Sequence, residues 1–145
     1  MFSIVFPGQG SQKIGMVKEL YEKYDLAKRL FKDADAILNV PITKIIFEGP
    51  ENKLNSTENT QPAIFLASYC IFEIIKKEFG YDFKKFKYFA GHSLGEYSAL
   101  ACVGSINFEK LLLLPFLELL FLFFIYFYFI LFCFFNLFFH KVILF

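Results

Sequence analysis

Cysteine, histidine and arginine are all scarce in this 145-residue chain, which has three cysteines, two histidines and one arginine, Arg29. Cys70, Cys102 and Cys133 are far apart, odd in number and without metal-site spacing, so we predict inert thiols of a reducing compartment and no bound metal. A formal net charge of only +1 argues against nucleic acid or an anionic membrane as a partner. The first residues lack the basic leader and long apolar core of a signal peptide, which predicts a cytoplasmic protein.

Charge is also nearly missing from the last 35 residues. All but two of the 29 charged side chains lie within the first 110 residues, whereas the last 35 residues contain 12 of the 23 phenylalanines. We therefore divide the chain into an ordinary folded segment, 1–110, and a Phe/Leu-rich apolar tail, 111–145.

Two interpretations of the tail are open. Residues 119–139 form an uncharged run of 21 residues, just past the ~20 that a membrane-crossing helix needs, which would make the protein membrane-associated. The other interpretation is a change of reading frame near Lys110, through a frameshift or an assembly error in T-rich DNA. We favour the second, because Pro115 interrupts the helix that begins after Asn107.

Apolar periodicity over 1–110 predicts alternating strands and helices, which is typical of an α/β fold with an open parallel sheet. A connection with at most a short helical turn is expected over 40–50, and polar residues 55–60 should supply capping side chains. The first predicted elements are a strand at 2–6, two helices within 16–38 that separate near Tyr24-Asp25, and a helix that runs to Phe79. This last helix has Pro62 in its first turn and is capped by Gly80. A strand at 88–90, a helix at 96–103 ended by Gly104, and a helix capped by Asn107 follow.

The sequence Gly91-His92-Ser93-Leu94-Gly95 has the G-x-S-x-G pattern of a nucleophile elbow. This chemistry needs a serine on a sharp strand-to-helix turn, with glycines that let strand and helix pass closely. The helix that follows points its first N–H groups, led by that of Leu94, at the negative oxygen of a tetrahedral intermediate. A strand before and a helix after the motif favour acyl transfer over the alternative, a glycine-rich turn.

A second loop follows the first predicted strand. Gly8 and Gly10 flank Gln9, whose backbone N–H would then face outward from the strand end, where ligands bind in open α/β sheets. Gln9 could supply a second donor to the same oxyanion, and the alternative is a simple strand-to-helix connector.

Three separated motifs, FPGQGSQ at 6–12, TQPA at 60–63 and GHSLGE at 91–96, together resemble malonyl-CoA:acyl carrier protein transacylases of bacterial fatty acid synthesis. The resemblance covers about residues 1–110. It implies an incomplete open parallel-sheet, hydrolase-like acyltransferase core that lacks the family's small ferredoxin-like subdomain and later core elements.

The resemblance also implies a mechanism. Ser93 would attack the thioester of malonyl-CoA, and the phosphopantetheine thiol of acyl carrier protein would then take the malonyl group from the acyl-serine. Backbone amides of Gln9 and Leu94 match the family's oxyanion hole. No cofactor is implied beyond the CoA substrate.

Two parts of the family's site have no counterpart here. In the family, the general base for the serine is a histidine well downstream. His92 is adjacent to Ser93 and should point away from its hydroxyl, so we assign it a structural or substrate-binding role. His140 has no motif around it. No arginine follows Ser93 to pair with the malonyl carboxylate, and Glu118 near the expected place would repel it. We therefore expect a truncated copy with feeble activity.

Two other functions remain open. A serine esterase of the α/β-hydrolase type shares the elbow but would not require the Gln9 loop. A non-enzymatic, membrane-anchored protein is the expectation if residues 119–139 form a genuine membrane segment.

Overall fold

Three short parallel strands are separated along the chain by runs of helices. The structure is a computed structural model that describes residues 3–83, 86–113 and 142–144. Its elements in chain order are β1 (Ser3–Phe6), α1 (Lys18–Lys23), α2 (Asp25–Leu38), α3 (Ile42–Glu48), α4 (Glu51–Leu54), α5 (Thr57–Glu78), β2 (Tyr88–Gly91), α6 (Leu94–Cys102), α7 (Phe108–Leu113) and β3 (Val142–Leu144).

The three strands form one parallel sheet in the order β1-β2-β3. Ser3 of β1 is in register with Tyr88 of β2, and Phe6 with Gly91, so both strands end at the same edge of the sheet. The segments that follow β1 and β2 therefore emerge side by side. This edge is where the two glycine-containing loops of the sequence lie.

Two apolar clusters hold the helices in place. One is built mainly from α2, α3, α5 and α7 and includes the fully buried side chains of Phe31 and Leu66. The other joins the sheet to α5 and α6 through Phe6, Phe72 and Phe89. Helices α5 and α6 thus lie between the sheet and the remaining helices. Contacts with α5, β1 and β2 hold α6 at the end of β2.

Several helix boundaries are confirmed. Tyr24 is extended, with φ −117° and ψ 125°, and separates α1 from α2 where the sequence predicts a break. Gly80 and Gly104 follow α5 and α6 with φ of +63° and +78°, left-handed values that favour glycine. The side chain of Asn107 accepts a hydrogen bond of 2.7 Å from the N–H of Glu109, which is the predicted cap of α7.

The prediction for 40–50 is wrong, because a seven-residue helix, α3, occupies most of it. Ile42, Ile45 and Ile46 have helical spacing and are buried against the helical cluster. A helix this short is marginal by itself and depends on tertiary packing, which local sequence does not report.

The start of α5 also differs from the prediction. The helix begins at Thr57, so Pro62 lies inside it rather than in its first turn, and the cap position Ser56 makes no side-chain capping bond. The buried hydroxyl of Thr60 instead donates to the carbonyl of Leu54 at 2.6 Å, which fixes the turn before the helix. Proline at this position removes one backbone hydrogen bond of the helix, and the ring of Pro62 is fully buried.

An open apolar groove of about 560 Å³ lies beside β1, between α5 and the segment that leads to β2. It is lined in part by Val5, Ile71, Phe79 and Tyr81, which are all well exposed. Ile71 therefore faces this groove rather than the core.

The two interpretations of residues 119–139 fall outside the described residues and remain predictions, as does the boundary at 110/111. Within the described ranges, no helix is long and apolar enough to cross a membrane. Leu111 and Leu112, just beyond that boundary, are buried in the helical cluster.

Replacing Phe31 by alanine should destabilise the protein by about 3–5 kcal/mol, because the ring is fully buried and stacks on Phe47 at 5.3 Å between centroids. Urea unfolding followed by circular dichroism measures this free energy. Lys32→Ala, at the next and exposed position, is the matched control and should change it little. A Phe31→Ala loss no larger than that of the control would contradict the packing described.

The burial of the Cys70 thiol predicts that the stability of the protein depends on pH. Burial raises the pKa of its thiol to about 12 from an ordinary value of 9.0, and burial also raises the pKa of Cys102. As the pH rises above about 9, the unfolded chain loses the Cys70 proton first, so the free energy of unfolding should fall between about pH 9 and 12. Urea unfolding at pH 7 and pH 10 should show a smaller decrease for Cys70→Ala than for the unsubstituted chain. An equal decrease, or alkylation of folded Cys70 at neutral pH, would contradict this.

Candidate active site

Ser93 occupies the sharp turn between β2 and α6. Its φ is +53° and its ψ −114°, a backbone conformation that non-glycine residues rarely adopt. The side chain is exposed. The turn is held by two backbone hydrogen bonds, from the N–H of Gly95 to the carbonyl of His92 at 3.0 Å and from the N–H of Glu96 to the carbonyl of Ser93 at 2.9 Å. A strained and exposed serine between a strand and a helix is the geometry that a nucleophile elbow requires.

The two glycines of the motif are required by close backbone contacts. A Cβ atom on Gly91 would overlap the carbonyl carbon of Gly95 and the backbone nitrogen of Glu96. A Cβ atom on Gly95 would overlap the carbonyl oxygen of Phe6, at the end of β1. These backbone atoms cannot swing aside as the tip of a side chain can. The elbow therefore depends on the absence of side chains at both positions.

The loop after β1 lies directly against the elbow. A Cβ atom on Gly8 would come within 2.6 Å of the carbonyl oxygen of His92 and 2.9 Å of its ring Nδ1. The N–H of His92 also donates to the carbonyl of Phe6 at 3.3 Å. Gln9 follows Gly8 and is exposed. The loop that carries Gln9 is thus adjacent to the turn that carries Ser93.

The backbone N–H groups of Gln9 and Leu94 have no acceptor among the described residues. Leu94 is the first residue of α6, where backbone N–H groups have no partner inside the helix. The positive end of the helix dipole is at the same place. A helix start of this kind can accept a negatively charged oxygen close to Ser93.

His92 and Glu96 are electrostatic neighbours at the elbow. Burial raises the pKa of Glu96, while the charge of His92 acts in the opposite direction. The His92 ring lies beside Gly8 and is exposed. Its predicted role in substrate binding stays a prediction.

Two residues named in the sequence analysis, His140 and Glu118, fall outside the described residues. Arg29 is exposed on α2. No group of three His, Cys, Asp or Glu side chains in the described ranges could hold a metal ion.

Sequence reasoning missed the hydrogen bonds that shape the Gln9 loop. The Ser11 hydroxyl donates to the carbonyl of Gly8 at 2.9 Å, and the N–H of Gly10 donates to Oε1 of Gln12 at 2.8 Å. Nε2 of Gln12 donates to Oδ1 of Asn55 at 2.9 Å. The polar residues after Gly10 were an available signal, but their partner 43 positions away could not be found from spacing.

The acyl transferase domain family matches residues 3–115 of the chain. The chain belongs to this family. The acyl transferase chain is 47% identical over 108 residues to the malonyl CoA-acyl carrier protein transacylase of Bacillus subtilis strain 168, a match that covers 74% of this chain and 32% of that protein. It is 43% identical over 108 residues to the corresponding protein of Haemophilus influenzae, covering 74% of this chain and 34% of that one.

Solved structures agree with this assignment. The malonyl-CoA:acyl carrier protein transacylase of Helicobacter pylori is similar with a TM-score of 0.73 and 43% identity, over 79% of this chain and 36% of that one. A malonyl-transacylase in complex with its type II PKS acyl-carrier protein is similar with a TM-score of 0.73 and 39% identity, over 79% of this chain and 36% of that one. The family and the partial α/β acyltransferase core predicted from the sequence are confirmed. The acyl transferase chain spans about a third of the length of the curated relatives it matches.

Replacing Gly91 by alanine should destabilise the acyl transferase chain by about 3 kcal/mol or more, because the new methyl group meets backbone atoms that cannot move independently. Gly80→Ala is the matched control. It has open space around its Cβ position but a φ of +63°, so it should cost only about 1–2 kcal/mol of backbone strain. Urea unfolding of both variants measures the difference. If Gly91→Ala lowers the free energy of unfolding no more than the control does, the close backbone contact at Gly91 is not required.

Proposed function

We propose that this chain carries the nucleophile and oxyanion-binding half of a site that transfers a malonyl group from malonyl-CoA to acyl carrier protein. The supporting observation is the strained, exposed Ser93 at the start of α6, with the Gln9 loop packed against the same turn through Gly8 and His92. The similar proteins are malonyl CoA-acyl carrier protein transacylases, and the substrate and the partner are proposed from them. Membership of the acyl transferase family favours acyl transfer over ester hydrolysis.

In the first half-reaction, the hydroxyl oxygen of Ser93 attacks the thioester carbonyl carbon of malonyl-CoA. The carbonyl oxygen becomes negative and accepts hydrogen bonds from the N–H groups of Gln9 and Leu94, at the positive end of α6. Collapse of this intermediate breaks the bond to sulfur. CoA leaves as the thiol with the proton that Ser93 has lost, and the malonyl group remains on Ser93 as an ester.

In the second half-reaction, the phosphopantetheine thiol of acyl carrier protein attacks the malonyl ester. The same two N–H groups accept the new oxyanion, the bond to the Ser93 oxygen breaks, and that oxygen recovers a proton. The two steps follow a ping-pong order and require no cofactor. We place the reaction in the cytoplasm.

Fast turnover would need a general base for Ser93 and a cation for the malonyl carboxylate. His92 adjoins Ser93, but its ring lies against Gly8, and no arginine follows Ser93 to bind the malonyl carboxylate. An acyltransferase site without its base retains only the contributions of the oxyanion hole and of substrate binding, which corresponds to a loss of roughly a thousandfold or more. We therefore infer that this chain by itself becomes acylated slowly and transfers the acyl group poorly.

Incubation with radiolabelled malonyl-CoA should label the chain slowly on Ser93, and Ser93→Ala should abolish the label, because it removes the attacking oxygen. Peptide mass spectrometry identifies the labelled residue. Ser105→Ala, an exposed serine after α6, is the matched control and should label like the unsubstituted chain.

Label on Ser93→Ala would contradict the assignment of the nucleophile. Fast transfer of the label to acyl carrier protein would contradict the expected low activity. Release of free malonate in preference to transfer would favour the esterase.

A further inference from the structure

The structure assigns a role to Gln12 and Asn55 in the proposed site. We propose that the hydrogen bond between their side chains positions the backbone N–H of Gln9 for the oxyanion. Gln12 and Asn55 are positioning residues in this proposal, since neither is placed against the reacting atoms. The inference rests on the proposed function, because it assigns a purpose to the loop that carries Gln9.

The Gln9 loop is tied on both sides of Gln9. On one side, the hydroxyl and the N–H of Ser11 both donate to the carbonyl of Gly8, at 2.9 Å and 3.4 Å. On the other side, the N–H of Gly10 donates to Oε1 of Gln12 at 2.8 Å. Gly10 has a φ of +103°, which allows the chain to turn back on itself there. These bonds set the conformation of the peptide units next to Gln9.

Bonds within the loop do not fix it relative to the rest of the protein. That link comes from Nε2 of Gln12, which donates to Oδ1 of Asn55 at 2.9 Å. Asn55 is held at the end of α4, where its own N–H donates to the carbonyl of Glu51 at 2.9 Å. The carboxamide of Gln12 thus joins the loop at one end and the turn before α5 at the other. Through this contact, the turn between α4 and α5 supports the loop.

The bond between Gln12 and Asn55 is solvent-exposed, so its loss should affect loop geometry far more than global stability. An oxyanion donor, in contrast, is sensitive to small displacements, since catalysis depends on accurate placement of hydrogen-bonding groups. This difference separates a positioning role from a general structural one. It also allows the unfolding midpoint to serve as an internal control.

The chemistry of the two side chains permits a test by charge. Asn55→Asp keeps an acceptor for Nε2 of Gln12. Gln12→Glu keeps the acceptor for the N–H of Gly10, and Asn55 can rotate its amide to donate to the new carboxylate. The double variant places two carboxylates together and has no donor between them, so the link is lost. Both single variants should therefore retain the function of the pair, and only the double variant and Asn55→Ala should lose it.

Three measurements are made on each variant: the unfolding midpoint, amide exchange and the rate of acylation. Hydrogen exchange of the Gly10 amide, whose N–H donates to Oε1 of Gln12, is followed by NMR and reports the loop without any need for activity. The rate of Ser93 acylation by malonyl-CoA, and separately by p-nitrophenyl acetate, reports the oxyanion site with the proposed substrate and with a simple activated ester. Asn52→Ala is the matched control, because the Asn52 side chain accepts only from the adjacent N–H of Lys53 in the described structure.

We expect about tenfold faster amide exchange and about tenfold slower acylation in Asn55→Ala and in the double variant, less than the hundredfold or greater effect of removing an oxyanion donor outright. The single charge variants and Asn52→Ala should stay within twofold of the unsubstituted chain, and the unfolding midpoints should be unchanged. A double variant that behaves like the single ones would overturn the inference, as would altered amide exchange with unaltered acylation. Acylation by the activated ester but not by malonyl-CoA would overturn the proposed substrate and leave the positioning role standing, whereas an unreactive Ser93 with both reagents would overturn both.

Discussion

The close backbone approach at Gly91 and Gly95 is the contact on which the rest of the site depends. Gly91 lies against the carbonyl of Gly95, and Gly95 in turn lies against the carbonyl of Phe6, so the start of α6 crosses the ends of β1 and β2 at minimum distance. Packing of α6 against the sheet and α5 holds this crossing closed. The strained backbone of Ser93 is then imposed by its surroundings rather than chosen by the serine itself.

The same crossing brings the second loop to the elbow. Because β1 and β2 are parallel and in register, the loop after Phe6 emerges next to the turn after Gly91. The small Gly8 allows His92 to lie directly over that loop. Two N–H groups without acceptors among the described residues, on Gln9 and Leu94, are thereby carried on neighbouring segments.

Much of this architecture could be predicted from local sequence. The break at Tyr24, the left-handed glycines after α5 and α6, and the Asn107 cap each depend on residues within one helical turn. Helix α3 could not be predicted in the same way, since a seven-residue segment is helical only when its isoleucines are buried by other helices. The start of α5, predicted from Pro62, was wrong for a related reason. The turn before α5 is fixed by the buried contact of Thr60 with Leu54 rather than by the proline.

The sequence by itself determined the family and the identity of the proposed nucleophile. Three short motifs are recognisable because each requires particular residues at adjacent positions, as the serine between Gly91 and Gly95 illustrates. Only the tertiary structure decided how those motifs meet. The contact of Gly8 with His92 and the bond from Gln12 to Asn55 join positions far apart in the chain. Such contacts depend on strand register and helix packing, which are properties of the whole fold and leave no periodic signal in the sequence.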